Sequence, residues 1–197
     1  MIVVLFVLTF LESIAATLIQ RGVYFYTHEN LGFSQSQNLW IAFGFGVTYV
    51  GGAFASHGLS KRFSEKHVLL GSILGLLVLH SAMALVPAPW LLVVAVCATA
   101  VVQGAKWPVV ESYVSAGRAP KQLLPLLSRY NVTWASAGFV AIGVTGLIVG
   151  THIPSLFFWF PAALNLVALV LALKLPQRPL HLEHSHPERP AEGATPL

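Results

Sequence analysis

Two carboxylates and two cations lie inside long apolar stretches of this chain: Glu12, Arg21, Lys106 and Glu111. A charge at bilayer depth is costly, so such residues pair, reach for water or carry function. Around Glu12 the residues Thr9, Ser13, Thr17, Gln20 and Tyr24 recur at intervals of four, four, three and four. That spacing gives one polar helical face, with Glu12 and Arg21 at its borders. Thr99, Gln103, Lys106 and Tyr113 repeat the pattern later, joined by Glu111 and the kink-prone Trp107-Pro108 pair. Two polar-striped helices facing each other predict an aqueous cavity, within which a carboxylate and an ammonium can hold a proton, bind a polar solute or neutralise one another.

Other chemistry is excluded by residue type. The chain has no Asp, so membrane enzymes built on aspartate pairs, or on metals held by several aspartates, do not fit. Cys97 is the sole cysteine and can form neither an internal disulfide nor a multi-cysteine metal site. A rhomboid-like serine protease needs a Gly-x-Ser nucleophile with a histidine on a neighbouring helix. Ser136, in Trp-Ala-Ser-Ala-Gly, lacks the leading glycine, and the last apolar stretch holds no histidine. The reading is not an enzyme, with no cofactor and no metal.

The elements that position these residues follow from composition. Of 197 residues only 9% are charged and 56% are hydrophobic, with a mean hydropathy of +0.74. A soluble domain carries about 25% charged residues, so the chain is a polytopic membrane protein. A hydrocarbon core of ~30 Å needs about 20 helical residues. Residues 67–105 contain no Lys, Arg, Asp or Glu and are broken at Pro87-Ala88-Pro89, giving two spans. Residues 130–173 are likewise free of these residues and are broken around Gly150–Pro154, giving two more. With 2–26 and 38–60 the expectation is all-α, six transmembrane helices at 2–26, 38–60, 68–87, 90–114, 129–150 and 155–175. The first is read as a retained helix, since it lacks a basic leader and outruns a signal-peptide core. The start of the chain so close to that helix suggests a missing short leader.

Basic residues fix an orientation. Lys61, Arg62 and Lys66 lie between spans 2 and 3; Arg118, Lys121 and Arg129 between or at the edges of spans 4 and 5; Lys174, Arg178 and Arg189 after span 6. The other three connections have none. The positive-inside rule then places both termini in the cytoplasm. The net charge of +4 is thus a topology signal and implies no nucleic-acid partner. The bundle is expected over 1–175, and 176–197 as a polar cytoplasmic tail or linker. Its His181-Leu-Glu-His184-Ser-His186 cluster has metal-ligand types, but the surrounding prolines prevent a helix that would fix their geometry.

Without a hydrophobic drive between helices in lipid, small residues carry the packing. Gly44, Thr48, Gly52 and Ser56 form such a stripe in span 2, Gly71 and Gly75 in span 3, and Gly143, Gly146 and Gly150 in span 5. They predict a compact bundle. Counting 1.5 Å per residue from the cytoplasmic ends puts Glu12 about 15 Å deep and Lys106 about 14 Å deep. Sharing a level, they can pair at the cavity floor, or each can snorkel. Glu111, only ~6 Å from the edge, suits a protonation site or the partner of a loop cation. Arg21 suits substrate contact or snorkelling at the outer boundary. His80 reads as a packing histidine in preference to a proton relay, and Pro108 as a candidate hinge.

The segment HGLSKRFSEKHVLL at 57–70 resembles the cytoplasmic signature of the major facilitator superfamily, Gly-x-Leu-Ala-Asp-Arg-x-Gly-Arg-Lys. Leu59, Ser60, Arg62, Phe63 and Lys66 fit; His57 and Ser64 stand at its glycines, Glu65 at an arginine and Lys61 at its aspartate. The family uses that acidic residue to brace one half against the other, a role Lys61 cannot take. A second signature, Arg-x-x-Gln-Gly, is matched by Gln103 and Gly104 with Ala100 at the arginine; the Gly-Pro antiporter motif of span 5 is absent. The resemblance covers residues 1–175 and implies the amino-terminal six-helix half of a secondary transporter, from a truncated or split chain, in a bacterial inner membrane. It implies a small-molecule substrate, possible proton coupling as in the family's sugar symporters, and a second six-helix half as partner, either a self-copy or a separate chain. Helices 1 and 4 line the cavity in that family, so Thr17, Gln20, Arg21, Glu12, Gln103, Lys106 and Glu111 become candidates for substrate contact or coupling. The alternative is a non-transporting membrane scaffold.

Overall fold

A computed structural model describes residues 2–86 and 88–179. Among them the chain is all helical: α1 (Ile2–Leu31), α2 (Gln35–Phe63), α3 (Glu65–Leu85), α4 (Pro89–Ser115), α5 (Pro120–Thr151) and α6 (Leu156–Ala172). Five are long and apolar enough to cross a membrane; α6, at 17 residues, is shorter. At 1.5 Å per residue it covers about 26 Å, and a further turn through Leu175 continues it. Lys174 and Arg178 follow, beyond the apolar run.

Helices α1, α2, α4 and α5 outrun the expected spans because counting charge-free residues finds the apolar length, not the helical length, whereas α3 is shifted to 65–85 from the expected 68–87 and α6 falls short of the expected 155–175. The largest difference is at α5. It begins at Pro120, nine positions before the expected 129, with proline at a position where its missing N–H costs nothing. Lys121 and Arg129 are therefore helical and exposed. The expected loop at 61–67 also shrinks to one non-helical residue. α2 continues to Phe63, Ser64 turns with φ 70° and ψ 156°, and α3 starts at Glu65. At the far end Ser34 caps α2: its hydroxyl accepts from the Gln37 N–H, and the Gln37 side chain accepts from the Ser34 N–H.

Packing runs around an open ring in the order α2, α4, α3, α6, α1, α5, with α1 and α4 also crossing through its middle. Exchanging α1 with α4, α2 with α5 and α3 with α6 maps this set of neighbours onto itself. The bundle is thus two three-helix units related by a pseudo-twofold, and the ring stays open between α2 and α5.

The stripe on α2 is where α4 comes closest. A Cβ added at Gly52 would collide with the Val101 carbonyl, and one at Gly104 with the Tyr49 carbonyl, so both positions must be glycine for the two backbones to touch. Ser56 reinforces the contact by donating to the Ala105 carbonyl at 2.8 Å. The span 5 stripe behaves otherwise. Gly143, Gly146 and Gly150 have no neighbour within reach, and that part of α5 also exposes Phe139, Ile142 and Leu147. Small residues there do not pack this bundle, because the closing helix of that unit contacts α5 only lightly. Of the tail expected at 176–197, Pro176 and Gln177 fold back on the bundle: Tyr113 Oη donates to the Pro176 carbonyl at 2.7 Å, and the Lys66 N–H to that of Gln177. The histidine cluster at 181–186 lies outside the described residues.

Candidate functional site

Two apolar clusters fill the bundle. One, around Leu5, Leu8, Leu69, Ile73, Val110, Tyr113 and Ala172, lies at the end bearing the N-terminus of α1 and the C-terminus of α6. The other, around Ile14, Leu18, Met83, Val96, Ala137 and Phe158, lies at the far end. Between them sits a layer of polar side chains with no exposed surface. α1 contributes Thr9, Glu12 and Ser13, α3 His80, α4 Thr99, Gln103 and Lys106, and α6 Asn165.

Two pairs organise that layer, one on each couple of pseudo-equivalent helices. Lys106 Nζ donates to Glu12 Oε2 at 2.5 Å between α4 and α1. Asn165 Nδ2 and His80 Nδ1 are 2.7 Å apart between α6 and α3. With the amide nitrogen as donor, His80 carries its own hydrogen on Nε2, and that nitrogen has no protein partner. Glu12 Oε1, Gln103 Nε2, Asn165 Oδ1 and the hydroxyls of Thr9, Ser13 and Thr99 are also buried without partners. Buried polar groups are ordinarily satisfied, and a cluster of orphans in a polar pocket is where internal waters reside.

The polar face expected along span 1 is therefore divided. Thr9, Glu12 and Ser13 are sealed inside the bundle, whereas farther along α1 Thr17 is half-buried and Gln20 lines an open space. That space is a cleft of about 340 Å³ in the gap between α2 and α5, floored by α1 and α4. It is lined by Ala16, Thr17, Gln20, Tyr49, Trp107, Glu111, Tyr130, Asn131 and Trp134. Gln20 Nε2 donates to Gln103 Oε1 at 3.3 Å, tying the cleft to the sealed layer. Trp107 lines the cleft, and Lys106 Nζ of the sealed layer lies 4.4 Å from its ring centroid.

The expected site residues thus fall into three groups. Glu12, Lys106 and Gln103 are in the sealed layer. Thr17, Gln20 and Glu111 are in the cleft, where Glu111 is exposed and makes no ion pair among the described residues. Arg21 is exposed and lines none of these spaces, because it sits one residue past Gln20 and so about 100° around the helix. Sequence reasoning missed Tyr49, Trp107, Tyr130, Asn131 and Trp134 as a set. The signal available was the run Tyr130, Asn131, Trp134 on one face of α5.

The loop residues lie at the end bearing the start of α1 and the end of α6. Lys61 and Ser60 line a second cleft with His57, Glu65, Ser112 and Arg178. Arg62 packs its guanidinium 5.1 Å from the Phe63 ring centroid, and Leu59 leans on the apolar cluster at that end. Lys66 Nζ donates to the Leu173 carbonyl at 2.8 Å, capping the end of α6.

The sequence model described as Major Facilitator Superfamily matches residues 2–196. No curated protein matches the chain.

Proposed function

Because the chain belongs to the major facilitator superfamily, we propose that it works as the amino-terminal half of a secondary active transporter, with the cleft between α2 and α5 as its share of the substrate pathway. One observation carries this reading. The polar cleft opens on the one side where the helix ring does not close, so a second bundle seated on α2 and α5 would enclose it. Alternating access needs two bundles rocking about a site between them. The apolar faces of the same helices agree: Phe43, Val47 and Phe54 on α2, with Trp134 and Phe139 on α5, are exposed. A second copy, a separate chain or a continuation of this one could supply that half.

The sealed layer supplies the coupling group of this reading, Glu12, which accepts from Lys106 Nζ, and the hydrogen bond from Gln20 to Gln103 leads from the cleft toward that layer. A water or substrate hydroxyl arriving at Gln20 would sit at the mouth of that path. Proton-coupled symport follows, with both termini cytoplasmic by the distribution of basic residues.

The test is reconstitution in liposomes at high and low dilution, with crosslinking to report assembly and uptake of labelled sugars, amino acids and drugs under an imposed pH gradient. Uptake should accompany only assembled species and collapse in Glu12→Gln. Saturable uptake by a demonstrated monomer would overturn the half-transporter reading. Assembly without any uptake, under every gradient, would favour a membrane scaffold.

A further inference from the structure

The lining of the cleft is unbalanced in charge. Among the described residues Glu111 is the one acidic side chain that lines it, and no Lys, Arg or His does. Lys106, on the same helix, is buried and held by Glu12. Arg129, although adjacent in sequence to Tyr130, faces a different space with Ile2, Phe6 and Lys121. The carboxylate therefore acts on the cleft without a counter-charge among the described residues that line it.

The rest of the lining is aromatic and amide. Tyr49 comes from α2, Tyr130 and Trp134 from α5, and Trp107 forms part of the floor with one side already occupied by Lys106. Gln20 and Asn131 add neutral hydrogen-bonding groups. Aromatic side chains around one carboxylate match a cation that is bulky and poorly hydrated, because ring quadrupoles attract a charge that gives up little hydration on approaching them. A neutral polyol would use the amides but gain nothing from the unpaired charge. An anion would be repelled.

We propose that the cleft binds an organic monocation, a substituted ammonium or phosphonium, with Glu111 as counter-charge and Tyr49, Tyr130 and Trp134 as the aromatic wall. This rests on the reading of the cleft as the substrate site and adds the substrate class to it.

The experiment is equilibrium binding of labelled tetraphenylphosphonium to the full chain in nanodiscs, with empty nanodiscs subtracted. Tetraphenylborate serves as the shape-matched anion and methyl glucoside as the neutral polyol. Saturable phosphonium binding is expected, weakened at least tenfold in Glu111→Gln, retained in Glu111→Asp and weakened in Trp134→Ala, with borate failing to compete. Thermal unfolding of each variant checks that it is folded. If the glucoside binds saturably in the cleft and the phosphonium does not, the site stands and the cation class is wrong. Phosphonium binding indifferent to Glu111→Gln, or no saturable binding, overturns the proposal. Neither result touches the uptake and assembly test, which decides the transporter reading separately.

Discussion

Gln20 and Gln103 meet at 3.3 Å between α1 and α4, one facing an open cleft and the other sealed among buried polar groups. That amide pair links the cleft to the sealed layer. Replacing Gln103 by Leu would cut the link while keeping the volume similar. If the sealed layer exchanges protons with the cleft through this pair, Gln103→Leu should lower proton-driven uptake at least tenfold in the assembled transporter. Substrate binding to the cleft should change less than threefold. Equal loss of both would mean that Gln103 only shapes the cleft.

The Glu12–Lys106 pair should be worth far more to stability as a unit than either member alone. Removing one partner strands the other charge at a site with no exposed surface, which costs about 3–5 kcal/mol. Glu12→Gln and Lys106→Met should each sharply lower the unfolding midpoint in detergent. The double variant Glu12→Leu with Lys106→Met should recover most of the loss, since apolar replacements of buried ion pairs are often close to neutral. A double variant as unstable as the sum of the singles would show that the two residues do not act as a pair.

Glycine positions with similar sequence contexts should differ widely in tolerance. Gly52→Ala and Gly104→Ala push a methyl into a facing carbonyl and must force α2 and α4 apart, at a cost of about 3 kcal/mol. Gly44→Ala meets only the Cys97 sulfur at 3.4 Å, and Gly146→Ala meets nothing. Both should stay within about 0.5 kcal/mol of the parent. Thermal scans of the four variants check the ranking.

Much of this architecture was legible in residue spacing, and the exceptions share a cause. The shared depth of Glu12 and Lys106 follows from counting residues inward from two helix ends, so sequence alone could bring them to one level. Whether that level is open or sealed depends on how the six helices pack around it, which the spacing does not encode. The same packing buries Thr9 and Ser13 and leaves Gln20 at the cleft. His80 read singly suggests packing, and its partnership with Asn165 emerges only from the packing of α3 on α6. The early start of α5 was hidden because Lys121 and Arg129 mark the limit of the apolar run, and the helix does not end where hydrocarbon does.

Ser64 occupies a backbone conformation that side chains resist. Its φ of 70° with ψ of 156° lies in a region populated essentially by glycine. The resembling signature carries glycine at this position, and the single-residue turn between α2 and α3 supplies the reason. Ser64→Gly should relieve the strain and raise stability by about 1 kcal/mol, after the loss of an exposed contact with His67. Ser64→Val should lower stability by more than that. A neutral or destabilising Ser64→Gly would mean that the turn is not strained.

Orientation gives the last prediction. Lys61, Arg62 and Lys66 flank the α2–α3 turn, Arg118, Lys121 and Arg129 border the start of α5, and Lys174 and Arg178 follow α6. All eight thus lie at the end where α1 begins. The opposite end carries no Lys or Arg in the turns after α1, α3 and α5, and presents His28, Glu29 and Asn30 instead. Since basic residues resist translocation, the first end should be cytoplasmic. In a Cys97→Ala background, Gln35→Cys should react with an impermeant thiol reagent added outside intact cells, and Lys121→Cys should react only after permeabilisation. Both positions are exposed, so a failure to label reflects sidedness and not burial. The reverse pattern would invert the bundle in the membrane.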